Sequence, residues 1–310
     1  MNPTNPKVLL TIDVEDWFQV ENFKAWVPFS SWGSRQLRVE RNIHRILDML
    51  DTVVCGCPTT STGSTNPIDH SRPPSSPRAT FFVLGWIAER LPGLVREIVG
   101  RGHEIASHGY CHDLCPALAE CDLKEDLARS KGILEDLAGC SVTGYRAPGF
   151  SISDTVLLAL EEAGYRYDSS YNSFERNNRH GKPRLCTDCG NGSGCLRISD
   201  DLYELPIGNL TISDYNLPWG GGGYFRLIPL PIFRAGVRRI LARRRVYVFY
   251  FHPWEIDPEQ PRVQEASALS KFRHYVNLSR TESKLVSFIH AFKDHGFATC
   301  ADYLSKIRKR

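Results

Sequence analysis

Three short runs of the chain are almost wholly apolar: "VLLTI" (8–12), "ATFFVLGW" (79–86) and "VYVFYF" (246–251). They are rich in β-branched and aromatic residues and too short for buried helices, so they read as strands covered on both faces. "HEIASH" (103–108), "VTGYRAPGF" (142–150) and "YRYDSSY" (165–171) read as further strands, and "LYELPIGNLTI" (202–212) as an extended segment. Between them the period changes to that of helices. Residues 38–51 place Val39, Ile43, Ile46, Leu47 and Leu50 on one face, and 121–139 do the same with Leu123, Leu127, Ile133, Leu134 and Leu137 before Gly139. Helical patterns also cover 89–102, 153–164, 231–244 and 281–296, and "FATCADYL" (297–304) fits a last strand or a short helix. Strands alternating with helices imply parallel pairing through βα units, and about seven units fit the length.

Two stretches break the pattern. Residues 55–78 are rich in Pro, Ser, Thr and Gly and predict a flexible surface insert. "CTDCGNGSGC" (186–195) holds one C-x-x-C and a third cysteine without a fourth ligand, which favours free thiols in a loop over a zinc site.

Composition narrows the picture only modestly. The chain has 310 residues, 42% hydrophobic and 24% charged, with net charge +3. That is ordinary for a globular protein and far too weak a charge for a nucleic-acid binder. No eighteen-residue apolar run predicts a membrane span. The first residues lack a signal-peptide pattern, so a cytoplasmic location is expected. The basic stretch "RAGVRRILARRR" (234–245) interleaves apolar and basic residues and reads as a solvated helix face.

The polar exceptions cluster at strand exits, where α/β barrels place their chemistry. "TIDVEDW" carries Asp13, Glu15 and Asp16, and buried acids so close together are paired or bind metal unless the strand end is exposed. His108 and His112 are four apart; on a helical turn that spacing lets two imidazoles share a metal, and it also suits two surface histidines. Arg146 stands two residues before Pro148, where its fork of donors could orient a carboxylate. His252 follows the last apolar run and precedes Pro253, at a strand's exit and not its middle. "PWGGGGYFRL" (218–227) sets Gly222 and Gly223 among Trp219, Tyr224 and Phe225, either a close-approach sugar surface or a loop with core aromatics.

Together these residues resemble the polysaccharide deacetylases of the NodB-homology type, carbohydrate esterase family four. The likeness is carried by "DVEDWFQV", "ATFFVLGW", "GHEIASHGYCH", "GYRAPGFSI", "YDSS", "GGGYFRL", "FYFHPWEIDPEQPR" and "SKFRHYVNLSRTE". It extends to the exosortase-associated, exopolysaccharide-cluster subgroup. It implies one distorted (β/α)7-type barrel over residues 1–310, the part from 205 completing it. It also implies hydrolysis of N-acetyl groups from hexosamines of a polysaccharide or its precursor.

By that resemblance His108 and His112 ligate a divalent metal, zinc in the usual case, together with a carboxylate. Alternation along a straight strand favours Glu15, on the face of Asp13. The family's habit of an aspartate ligand favours Asp16, which is the expected ligand, with Glu15 beside it. Asp13 is then the base, His252 the acid, Arg146 the residue that orients the base and Gly149 the source of an oxyanion N–H. Asp168 partners the histidine or the arginine, and Trp219, Gly222, Gly223, Tyr224 and Trp254 contact the glycan. Two other functions compete: a hydrolase opening cyclic amides of small nitrogenous metabolites, and a carbohydrate-binding relative without activity. The complete acid and histidine set opposes both. The oligomeric state is left open.

Overall fold

The computed structural model describes residues 6–53, 76–174, 187–188 and 193–308. The predicted 55–78 insert, apart from its last residues, and Cys186 and Cys189 lie outside the described residues.

Eleven strands are described: β1 (Lys7–Val14), β2 (Ala79–Val83), β3 (Glu104–Ser107), β4 (Gly144–Tyr145), β5 (Tyr167–Asp168), β6 (Thr187–Asp188), β7 (Leu196–Arg197), β8 (Tyr203–Glu204), β9 (Leu210–Ile212), β10 (Tyr215–Leu217) and β11 (Val246–Phe251). The main helices are α1 (Val39–Thr52), α2 (Gly85–Arg90), α3 (Pro92–Gly100), α4 (Glu120–Ala138), α5 (Asp154–Glu162), α6 (Gly222–Leu227), α7 (Leu230–Arg243), α8 (Ala268–Tyr275), α9 (Leu278–Phe292) and α10 (Cys300–Arg308). The principal sheet runs β11-β1-β2-β3-β4-β5-β8-β7-β6. Its neighbours are parallel from β11 to β8 and antiparallel from there to β6.

The parallel strands curl into the expected α/β barrel, and its distortion lies at one seam. Among the described residues no regular strand joins β8 to β11 in the sheet. Instead Gly208 N–H donates to Val248 C=O at 3.0 Å and Tyr250 N–H donates to Gly220 C=O at 2.8 Å. An irregular segment thus satisfies the backbone that a strand would have paired.

The period-2 pattern of β1 divides the core. Val8, Leu10, Ile12 and Val14 face outward and pack with Ile43, Ile46 and Leu47 of α1. Leu9 faces inward with Phe82, Ala106, Leu205, Ile207, Val246 and Val248. Tyr303 and Leu304 of α10 join this inner cluster, so "FATCADYL" forms mainly a helix packed against the barrel interior. Continuing inward along β1, Thr11 is followed by Asp13 at the strand's exit. Alternation therefore delivers the first acid into the barrel mouth while the core fills the rest.

Candidate active site

The exits of β1, β3, β4 and β11 converge on one cavity lined by Asp13, Glu15, His108, His112, Gly149 and His252. The two histidines do not sit on a helical turn. They follow β3 in an irregular loop in which Gly109 has φ 75° and His112 itself has φ 57°. A left-handed backbone at a non-glycine residue is strained and persists where surrounding contacts enforce it. Asp126 of α4 is one such contact, accepting the Tyr110 N–H at 3.1 Å.

Glu15, His108 and His112 are buried, and their ligand atoms all lie within 4.8 Å of one another. Three features suit a divalent cation. His108 Nδ1 lies 2.8 Å from Arg146 C=O; donation there fixes the tautomer and leaves Nε2 as a lone pair. Burial drives the His108 pKa down to about 4, so the ring is neutral, as a ligand must be. Glu15 Oε2 lies 2.8 Å from His112 Nε2 yet lacks the alignment of a hydrogen-bond acceptor, which leaves a shielded oxygen for a third partner. Burial would raise the Glu15 pKa, but His112 and His252 overcome it and hold it at about 2.

Asp16 does not join this set. Its Oδ1 accepts the Trp17 N–H at 2.8 Å, and its Oδ2 accepts the N–H groups of Arg38 and Val39 at 2.6 and 2.9 Å. The expected aspartate ligand instead caps the start of α1 from a distance, satisfying donors that the helix leaves open. Glu15, and not Asp16, shares the cavity wall with Asp13.

Asp13 Oδ1 accepts from Arg146 Nη1 at 2.7 Å. The guanidinium is fully buried, and it also donates to Thr11 Oγ1 and to the carbonyl and hydroxyl of Ser169. Its Cζ stands 4.1 Å from the centre of the Phe82 ring. A cation with this many acceptors is itself immobile and fixes the carboxylate in direction.

His252 Nε2 faces both acids, 3.8 Å from Asp13 Oδ2 and 3.4 Å from Glu15 Oε1. Its Nδ1 lies 2.7 Å from Glu255 Oε1, and Glu255 Oε2 accepts from Arg226 Nε at 2.7 Å. Burial would push the His252 pKa down, but Glu15 and Glu255 raise it to about 9, so the ring carries its proton at neutral pH. Sequence reasoning missed Glu255 and Arg226. A signal was present in "HPWE": an acid three residues after a residue that precedes proline is the pattern of a capping box, and Glu255 also accepts the His252 backbone N–H at 3.1 Å.

Asp168 makes no hydrogen bond to His252 or Arg146. It pairs in register with Glu204 across β5 and β8 and accepts from Ser170 Oγ at 2.6 Å. Ser170 Oγ in turn accepts the Ala147 N–H at 2.7 Å, so Asp168 supports the Arg146–Gly149 loop from beneath.

Of the expected glycan contacts, Tyr224 and Trp254 line the cavity, and Trp254 Nε1 donates to Glu15 Oε1 at 3.2 Å. Trp219 does not line it; the ring is buried against Phe233 and donates Nε1–H to the Phe233 carbonyl. Gly222 and Gly223 begin α6, and their neighbours Gly220 and Gly221 line the cavity instead. Asn172, Asn209 and Tyr250, all missed, complete that wall.

Comparison with known proteins places the histidine-bearing part of the chain. Residues 76–167 match the family model "Polysaccharide deacetylase", and residues 169–305 match "Domain of unknown function (DUF3473)". Among curated proteins, a peptidoglycan deacetylase of Helicobacter pylori is 34% identical over 98 residues, covering 31% of this chain and 33% of its own. A chitooligosaccharide deacetylase of Sinorhizobium fredii is 37% identical over 87 residues, covering 28% and 40%. The chain thus spans about a third of the length of the curated relatives it matches. In fold it resembles a Mycobacterium smegmatis protein classed as a polysaccharide deacetylase, with TM-score 0.59, 18% identity and 100% and 92% of the two chains covered. An allantoinase shares the fold at TM-score 0.54 and 16% identity, over 98% and 91%. The part of the chain that is similar to polysaccharide deacetylases, residues 76–167, is the part that carries both histidines on the loop after β3.

Proposed function

We propose that the chain removes N-acetyl groups from hexosamine residues of a glycan, using a divalent cation, zinc in the first instance, held by Glu15, His108 and His112. The observation that carries this reading is the placement of a buried carboxylate–histidine–histidine set between a fixed acid, Asp13, and a protonated histidine, His252. A cation bound there would polarise the acyl carbonyl. Asp13, aligned by Arg146, takes a proton from the attacking water. His252, held by Glu255, gives its proton to the amide nitrogen as the C–N bond breaks. Acetate and a free amine leave, and a proton passed from Asp13 to His252 restores both groups. Gly149, at φ 60°, exposes backbone at the cavity wall where an oxyanion would need an N–H donor.

We extend the reading to exopolysaccharide-forming systems on the motifs "GGGYFRL" and "FYFHPWEIDPEQPR", which build the wall and the acid side of this cavity. The test is acetate release from a panel of N-acetylated oligosaccharides by protein supplied with zinc, with cobalt, or with chelator. Metal-dependent acetate release supports the reading; no release from any substrate with either metal overturns it.

A further inference from the structure

The charges on the cavity wall are unequal in sign and in how they are satisfied. Among the described residues its carboxylates are Asp13, Glu15 and Glu21, and no lysine or arginine side chain lines it. Asp13 has Arg146 as its counter-charge, and Glu15 has the histidines. Glu21 has neither. It opens a single 3₁₀ turn after the Glu15–Val20 loop, and its Oε2 is shielded from solvent with no hydrogen-bond partner. Lys24, three residues on, reaches Asp113 at 2.9 Å; Arg226 is held by Glu255, and Arg38 by Asp257. A carboxylate oxygen withdrawn from water without a donor is a cost that the folded chain does not recover by itself.

We propose that Glu21 is a specificity-determining residue that accepts the ammonium group of a glucosamine unit next to the N-acetylhexosamine in the reacting position. The proposal rests on the deacetylase reading above and names its substrate class: a neutral or partly de-N-acetylated aminoglycan, not a carboxylated one. A sugar ammonium brings three donors and a positive charge to an acceptor that lacks both. A uronic or lactyl carboxylate at the same place would meet like charge, with no basic side chain among the described residues of the wall to offset it. Asn22, Asn172 and Asn209 are neutral partners for hydroxyl groups whichever sugar is bound. The product of one cleavage would thus be a better ligand than the substrate, drawing the enzyme along a chain it has begun to modify.

The test uses the full chain loaded with zinc, in mildly acidic buffer where sugar amines are protonated. Calorimetric titration compares chitotetraose, its fully de-N-acetylated counterpart, and a hyaluronan tetrasaccharide. Glu21→Gln should weaken binding of the de-N-acetylated oligomer by roughly tenfold, the scale of a lost charged hydrogen bond, and leave binding of chitotetraose within about twofold. Glu21→Lys should reverse the order and favour hyaluronan over the amine. Equal losses on both chitosan-type ligands, or none on the amine, overturn the proposal. Acetate release from chitotetraose by the wild-type chain is measured separately. If it is absent while the Glu21-dependent preference holds, the deacetylase reading fails and the amine site stands.

Discussion

His252 and Glu255 are joined twice: the carboxylate accepts both the ring Nδ1–H, at 2.7 Å, and the backbone N–H, at 3.1 Å, of the same residue. The acid therefore fixes where the ring sits as well as its charge. Glu255→Gln removes one of the charges that raise the His252 pKa, so that pKa falls and the alkaline limb of the pH–rate profile moves to lower pH. We expect turnover at neutral pH to drop by roughly 10²-fold, the lower end of the range for general acid catalysis, with bound zinc unchanged. A profile that keeps its alkaline limb would show that Glu255 only fills space.

Glu15 and Asp16 are adjacent in sequence and opposite in role. Glu15→Ala should abolish stoichiometric zinc binding. Asp16→Ala should keep the metal but destabilise the fold by about 1–3 kcal/mol, because it leaves the N–H groups that start α1 without their acceptor. Metal analysis and thermal melts on the two proteins decide between them. Zinc loss in the Asp16 variant would overturn the assignment.

This pair also shows how far the sequence alone could lead. Strand alternation pointed to Glu15, while family habit pointed to Asp16; in the structure the Glu15 carboxylate lies among the histidines and that of Asp16 turns to the start of α1. The spacing of the histidines alone left both a shared metal and a solvated surface open, and the helical turn it suggested is absent: they lie on a loop with His112 at φ 57° and the Tyr110 N–H held by Asp126 of α4. Asp168 was expected to partner the histidine or the arginine; its hydrogen bond comes instead from Ser170, two residues on, and Glu204 lies beside it in register on β8. Glu21 stood in no recognisable motif at all.

Asp13→Asn should retain metal and melt near the wild type, while turnover falls by roughly 10²–10⁴-fold. The amide keeps a carbonyl for Arg146 but cannot take a proton. Single-turnover acetate release on the zinc-loaded variant measures it, and activity within a few-fold of wild type would remove Asp13 from the chemistry.

The glycine run should split by position. A Cβ on Gly221, where φ is 132°, would lie 1.9 Å from the Tyr250 carbonyl oxygen, whereas one on Gly223 meets nothing closer than 3.6 Å. Gly221→Ala should cost more than about 3 kcal/mol or prevent folding, and Gly223→Ala should change stability by less than about 1 kcal/mol. Similar melts for both would mean that the seam against β11 is looser than described.

Asp168 and Glu204 are both fully buried, and burial raises both pKa values, that of Glu204 further because of the Asp168 charge beside it. Each binds its proton more tightly folded than unfolded. The protonated pair therefore loses stability as pH rises above the ordinary carboxylate values of 3.8 and 4.5 towards the folded ones. Glu204→Gln keeps an acceptor for the Tyr171 N–H and removes one titration. Its melting temperature should fall less with rising pH than that of the wild type, and equal slopes would sink the idea.

The neighbouring strands β1 and β11 bring Asp13 and His252 together from 239 residues apart. The carboxylate–histidine–histidine set is complete once residue 112 has been made, and the arginine that holds Asp13 by residue 146. His252 comes only later, and Glu255, which holds it, three residues after that. On the proposed reading, a chain stalled before β11 would have no proton for the leaving amine. The order of the strands along the chain thus keeps the unfinished barrel chemically silent until its last parallel strand has closed the sheet.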